Sequence, residues 1–398
     1  MRGSENTPPI GGRHAGGAAS DLVCFSHLRW NFVFQRPNHL MSRFARVRRV
    51  FFVEEPVYER SRDVPELAVE KPLRGLFVCV PRLPAAVAHE PEPVLRTLLL
   101  RTFSELGVSP LISWLYTPMA LPLAEALDAP LLVYDCMDEL SAFLGSHPEL
   151  GARESALFAR AHLVFTGGHS LWEAKRHRHP SVHAFPSSVD AAHFRRARSP
   201  LPEPSDQVRI PRPRAGFFGV VDERMDVALL RRLAEARPDL HIVMLGPVVK
   251  IHPSTLPRMP NIHWLGRKRY EELPRYVSGW DVALMPFAQN EATRFISPTK
   301  TLEYLAAGRP VVSTPIRDVE RPYGDLGLVH IATADGFAEA VDRAMGEDRL
   351  LLAAAADEYL ARTSWDATWS DMSALVDEAL ARRRLERPRG GSDLCSTT

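Results

Sequence analysis

Short apolar runs alternate along the chain with stretches whose apolar positions recur every three or four residues. In the first half, Leu22 to Ser26, Arg49 to Glu54, Leu76 to Val80, Leu111 to Tyr116, Leu131 to Asp135 and Leu163 to Thr166 read as strands. Gln35 to Ala45, Pro91 to Leu106, Leu121 to Leu127 and Glu154 to Ala161 read as helices between them. That alternation predicts parallel βαβ units in one open sheet. The second half repeats it. Its strands are Arg214 to Gly219, Leu240 to Gly246, Ile262 to Gly266, Asp281 to Pro286, Val311-Val312 and Val329 to Ile331. Its helices are Asp226 to Ala236, Tyr270 to Val277, Gly336 to Met345, Leu350 to Leu360 and Trp365 to Arg384. The Pro- and Arg-rich segment from Arg195 to Arg214 has little periodicity and reads as an interdomain connection. Two facing α/β halves place a ligand between them, at the C-terminal ends of both sets of strands.

One stretch concentrates the chemistry. Ser297-Pro298-Thr299-Lys300-Thr301-Leu302-Glu303 opens a short helix that Gly308 ends and Pro310 keeps from continuing, before the strand at Val311. Pro298 suits a first turn, and Ser297 before it is a fair N-cap. Lys300 and Glu303 lie three apart and share a face. A lysine and free N–H groups at a helix N-terminus suit phosphate, and a carboxylate beside them suits ribose hydroxyls. The plainer alternative is an exposed ion pair opening a helix.

The 398 residues fit two domains, and a net charge of +1 argues against a nucleic-acid partner. No apolar run is long enough to span a membrane and no secretory leader is visible. The four cysteines have no metal-ligand spacing, which fits free thiols in a reducing cytoplasm. The Gly- and Ser-rich ends, 1–20 and 386–398, read as disordered tails.

The chain resembles the GT-B glycosyltransferases, especially the large retaining group numbered family 4. Three pieces carry the likeness: Phe185-Pro186-Ser187-Ser188-Val189-Asp190 with Phe194, the strand and turn Gly216 to Arg224, and Glu303 to Val312. The first half, with Cys24 to Trp30 and Gln35-Arg36-Pro37, is similar to cell-surface polysaccharide transferases of the teichuronic-acid type. The resemblance implies two Rossmann-like domains, 21–188 for the acceptor and 189–364 for the nucleotide sugar. It also implies a helix at 365–385 that crosses back to the first domain, with Trp365 and Trp369 as anchors. It places Glu303 on the ribose, Lys300 and Arg224 on the diphosphate, and Gly219 close to that phosphate, with Ser297 and Thr299 beside them. The family's usual pair of glutamates falls on positions 295 and 303, and here the first is Phe295. The second basic residue expected after Arg224 is also missing, since Met225 and Asp226 follow.

GT-B enzymes stabilise the departing diphosphate with Arg, Lys and helix N-termini, so neither a metal nor a further cofactor is expected. Asp138, at a strand end, is a candidate for acceptor binding or general base work, or else a helix N-cap. His27 follows the first strand and is a candidate for the acceptor or the transferred sugar. Arg29 and Arg36 suit an anionic acceptor or are solvated surface charge. Trp30, Phe32 and Phe34 fit core packing better than a sugar-stacking wall. His177, His179 and His183 are spaced too irregularly for a metal site. The expectation is a cytoplasmic, metal-independent transferase. It takes a nucleoside-diphosphate sugar, UDP-linked by preference, to a cell-surface glycan or lipid-linked acceptor with retention, and peripheral membrane contact is left open. The alternatives are an inverting transferase with Asp138 as base, a silent nucleotide- or partner-binding scaffold, and an epimerase of similar fold.

Overall fold

The computed structural model describes residues 21–386. The expected tails, 1–20 and 386–398, lie outside them except for Glu386, which closes the last helix.

The first sheet holds β1 (Asp21–Ser26), β2 (Val50–Glu54), β3 (Val57–Glu59), β4 (Glu66–Leu73), β5 (Leu76–Pro84), β6 (Pro110–Leu115), β7 (Leu131–Cys136), β8 (Leu163–Thr166) and β9 (Val182–Ala184). They run in the order β3-β5-β2-β1-β6-β7-β8-β9, with β4 on the outer side of β5. The second sheet holds β10 (Arg214–Phe218), β11 (His241–Leu245), β12 (Ile262–Gly266), β13 (Val282–Met285), β14 (Val311–Ser313) and β15 (His330–Ile331), in the order β12-β11-β10-β13-β14-β15. Each sheet winds outward one way from its first strand and then the other way, so crevices open beside β1/β6 and β10/β13. β1, β2, β6, β7 and β8 are buried throughout or nearly so, which is why they read as unbroken apolar runs.

Three expectations change. The first sheet is not wholly parallel: β4 pairs antiparallel with β5. The return into β5 is made at Gly75, whose φ of +82° suits glycine and where a Cβ would lie 2.3 Å from the Ala45 carbonyl oxygen. β3 and β9 also add to the expected strands. Finally, the Arg195 to Arg214 segment is packed on the second domain. Its buried Gln207 donates to the Tyr276 carbonyl at 2.9 Å and accepts from Trp280 Nε1 at 2.9 Å.

The last helix, Trp365–Glu386, buries Trp365, Met372, Val376 and Leu380 in one cluster with Phe44 and Trp114 of the first domain. The Trp365 ring stacks on His39, centroids 4.6 Å apart and 10° from parallel. The chain thus leaves the first domain after β9 and returns to it at Trp365, and these two passages form the seam beneath the cleft.

Candidate functional site: a cleft between the two sheets

The helix Thr299–Ala306 is fixed first by its packing. Leu302, Leu305 and Ala306 enter the second domain's core, and the Tyr304 hydroxyl accepts the Phe218 N–H at 3.0 Å. That bond ties the helix to the end of β10. Its N-cap is Pro298, with φ of −69° and no side-chain cap, so Ser297 does not serve as the expected N-cap. Ser297 instead turns its carbonyl to the first domain, where it accepts from Ser187 Oγ at 2.6 Å. An N-terminus without a side-chain cap leaves N–H donors for a ligand.

Ser297, Thr299, Lys300 and Glu303 line one interdomain cavity together with Gly219, Arg224 and Asp138. Seven of the eight expected site residues therefore meet there. Glu303 is buried and Lys300 is half-buried beside it, so they are not the exposed ion pair. Among the described residues neither side chain has a hydrogen-bonded or ion-paired partner. Burial holds the Lys300 ammonium below its ordinary value, with Glu303 pulling the other way. The Glu303 carboxyl is pushed up to about 7 by burial, with Lys300 pulling it down. Both residues line the cavity, where their charged groups are open to a ligand.

Gly219 follows β10 at φ of +144°, and a Cβ there would sit 2.1 Å from Lys300 Cε. The glycine makes room for the lysine and keeps the strand end open beside it. Arg224 is held by Asp222 in a two-point pair, Nε to Oδ1 at 3.0 Å and Nη2 to Oδ2 at 2.6 Å. Asp138 faces this group from the first domain. Burial pushes its carboxyl up to about 6, and the Arg224 and Arg36 charges pull it down. It caps no helix: Glu139 stands at the N-cap of the next turn, without a side-chain cap bond.

His27 is not among the residues lining the cavity. It is half-buried, its Nδ1 is enclosed without a partner among the described residues, and desolvation followed by the Lys250 charge pushes it down to about 4. The two arginines also differ from a solvated surface. Arg29 pairs with Glu54 at 2.9 Å and donates to the Glu55 carbonyl, so it braces a loop. Arg36 is buried, lines the cavity, and pairs with Asp135 at 2.9 Å, which neutralises most of its charge. Trp30 lies in the core, as packing suggested, while Phe34 stacks across the cleft on Tyr270 at 4.5 Å. Phe295 packs against the first domain's core and does not line the cavity. His179 Nδ1 accepts the Ser181 N–H at 3.1 Å and its Nε2 donates to the Ala161 carbonyl at 3.1 Å. Among the described residues no group of three or more His, Cys, Asp or Glu side chains is placed to hold a metal ion.

Sequence reasoning missed Arg267, Tyr270 and Ser187 as cleft residues. Arg267 directly follows β12, so the strand-end rule would have found it. Its Nη2 donates to the Asn31 carbonyl at 2.5 Å and closes one rim of the cleft. The Tyr270 hydroxyl is buried without a partner, near Glu303.

Residues 212–347 match the family model described as Glycosyl transferases group 1. A segment of 114 residues is 31% identical to the putative teichuronic acid biosynthesis glycosyltransferase TuaH of Bacillus subtilis, covering 27% of this chain and 29% of that protein. Among solved structures, sucrose-phosphate synthase from Thermosynechococcus elongatus superposes with a TM-score of 0.69 at 14% identity, over 91% of this chain and 100% of that one. The Escherichia coli trehalose-6-phosphate protein bound to UDP-2-fluoro glucose gives 0.65 at 11%, over 91% and 99%. Anabaena HepE in complex with UDP and glucose gives 0.63 at 14%, over 89% and 99%. The fold is GT-B, and residues 212–347 are similar to a glycosyl transferases group 1 domain.

Proposed function

We propose that this chain is a glycosyltransferase that takes a sugar from a nucleoside diphosphate. The observation that carries the reading is the pair of half-buried Lys300 and buried Glu303, both without a partner among the described residues and facing the cleft at the start of one helix. In this reading Glu303 accepts from the ribose hydroxyls. Lys300, Arg224 and the N–H groups at Thr299 and Lys300 hold the diphosphate, and Gly219 lets it approach the end of β10. These groups stabilise the charge that grows on the leaving phosphate without a bound metal. UDP is the favoured nucleotide, because two structural neighbours are described with UDP or a UDP sugar. Likeness to TuaH favours a cell-surface glycan or a lipid-linked precursor as acceptor. Among the described residues no helix is long and apolar enough to cross a membrane, so a lipid-linked acceptor would be met at a surface.

The favoured stereochemistry is retention, with the departing phosphate taking the acceptor proton. One observation supports inversion as a second reading. Asp138 lines the cleft opposite the phosphate cations, and its carboxyl sits at about 6, where a general base works well near neutral pH. The test is a donor panel of UDP, GDP and dTDP sugars incubated with the protein, followed by NMR of the product's anomeric proton. Transfer with the donor's anomeric configuration supports the main reading, and transfer with the opposite one supports Asp138 as base. Nucleotide binding without transfer or hydrolysis of any donor would leave the silent scaffold as the better account.

A further inference from the structure

The turn after β7 carries a side chain that none of the roles above uses. Its stem is fixed: Glu139 pairs with the buried Lys175 at 2.6 Å, and Lys175 also holds Glu154 at 2.9 Å. Its tip reaches the other domain. The Leu144 N–H donates to Glu223 Oε1 at 3.1 Å, and the Phe143 ring meets two cations there. Arg224 Cζ lies 5.2 Å from the ring centroid and Lys250 Nζ lies 4.7 Å from it. Both are within the range of a cation–π contact. Lys250 holds this place at φ of +63°, a left-handed conformation that disfavours any residue with a Cβ.

The geometry bears on how Arg224 is presented. Asp222 takes its Nε and Nη2, which leaves Nη1 without a partner among the described residues. The ring of Phe143 restrains the guanidinium from the first domain while adding no competing charge. An acidic residue in its place would neutralise Arg224, and an aliphatic one would not attract it. We propose that Phe143 is a positioning residue for the donor diphosphate. It holds Arg224, a group of the second domain, with one donor free for a phosphate oxygen, and does so only while the domains are closed. Donor binding and domain closure are thereby coupled through one aromatic ring. The inference rests on the donor-site reading above.

The test titrates UDP, GDP and dTDP calorimetrically into wild type, Phe143→Leu and Phe143→Tyr, with inorganic pyrophosphate as a competitor that carries the phosphates alone. Leucine fills apolar space without a ring face, and tyrosine keeps the face. Phe143→Leu is expected to weaken the best-bound nucleotide and pyrophosphate alike by about fivefold, and Phe143→Tyr to stay within about twofold of wild type. Leucine binding as well as or better than wild type, or a Tyr variant as impaired as the Leu variant, overturns the inference while leaving the donor site standing. Wild type that binds none of the three nucleotides overturns the donor-site reading and this inference with it.

Discussion

Replacing Gly219 with alanine should injure the site by way of Lys300. A Cβ at position 219 would stand 2.1 Å from Lys300 Cε, 2.7 Å from Nζ and 3.3 Å from Phe217 Cζ. Two of these are the far end of a flexible side chain, so the lysine yields and its ammonium leaves the cleft. The backbone adds a second effect, because φ of +144° is glycine territory and strain of this kind costs about 1–3 kcal/mol. Losing a charge-assisted hydrogen bond to phosphate costs about 1.5–3 kcal/mol, which is roughly 10- to 150-fold in affinity. Urea unfolding should report the strain, and calorimetry with the best-bound nucleoside diphosphate should report the displaced charge. Lys300→Met should lose a similar factor in affinity with little loss of stability. The double variant should bind no more weakly than the worse single one, because both changes act through one ammonium group. Gly219→Ala binding nucleotide like wild type, or losses that add in the double variant, would refute the reasoning.

If Asp138 is a base, transfer should fall away below about pH 6, where its carboxyl takes up a proton, and Asp138→Asn should slow the rate by about 10²- to 10⁴-fold and abolish that limb. An Asn variant that keeps both rate and limb sinks the base role. Truncating the crossing helix's anchor, Trp365→Ala, should cost about 3–5 kcal/mol of stability in a urea melt, since the ring is buried in the first domain's core and stacked on His39. A cost below about 1 kcal/mol would mean the helix is held elsewhere. His39 is pushed down to about 3 by burial and by the Arg43 and His193 charges, so it stays neutral when folded and takes up a proton near 6.5 when unfolded. Its contribution is therefore whole above pH 6.5 and is lost as pH falls toward 3, by at most about 1.4 kcal/mol per unit. The stability gap between wild type and His39→Phe should shrink between pH 7 and 4.5, and parallel curves would contradict the sign.

The parallel strands were legible because burial on both faces makes them unbroken apolar runs. β4 was not, because most of Glu66–Leu73 is exposed on an edge and its charged residues and Pro72 show no such run. Within the site, Lys300, Glu303 and Asp138 could be read from local rules about strand ends and helix starts, while Gly219 was placed by the likeness to GT-B enzymes. Arg36 could not, because its burial depends on Asp135, far along the chain, and a Pro-flanked arginine at a helix start looks like surface. Phe143 and Tyr270 carry no local signal either. Each acquires its meaning from the opposite domain, Phe143 from Arg224 and Lys250, and Tyr270 from Phe34. Ser297 illustrates the reverse error: a good cap by composition, it faces a partner across the seam while Pro298 starts the helix.

The central claim is that Glu303 and its helix form the nucleotide site, and calorimetric titration of UDP, GDP and dTDP against wild type and Glu303→Ala tests it most directly. The account predicts that one nucleotide, UDP first, binds wild type and that Glu303→Ala loses about 1.5–3 kcal/mol of that affinity. Binding that is unchanged in Glu303→Ala, or wild type that binds none of the three at millimolar concentration, would contradict it.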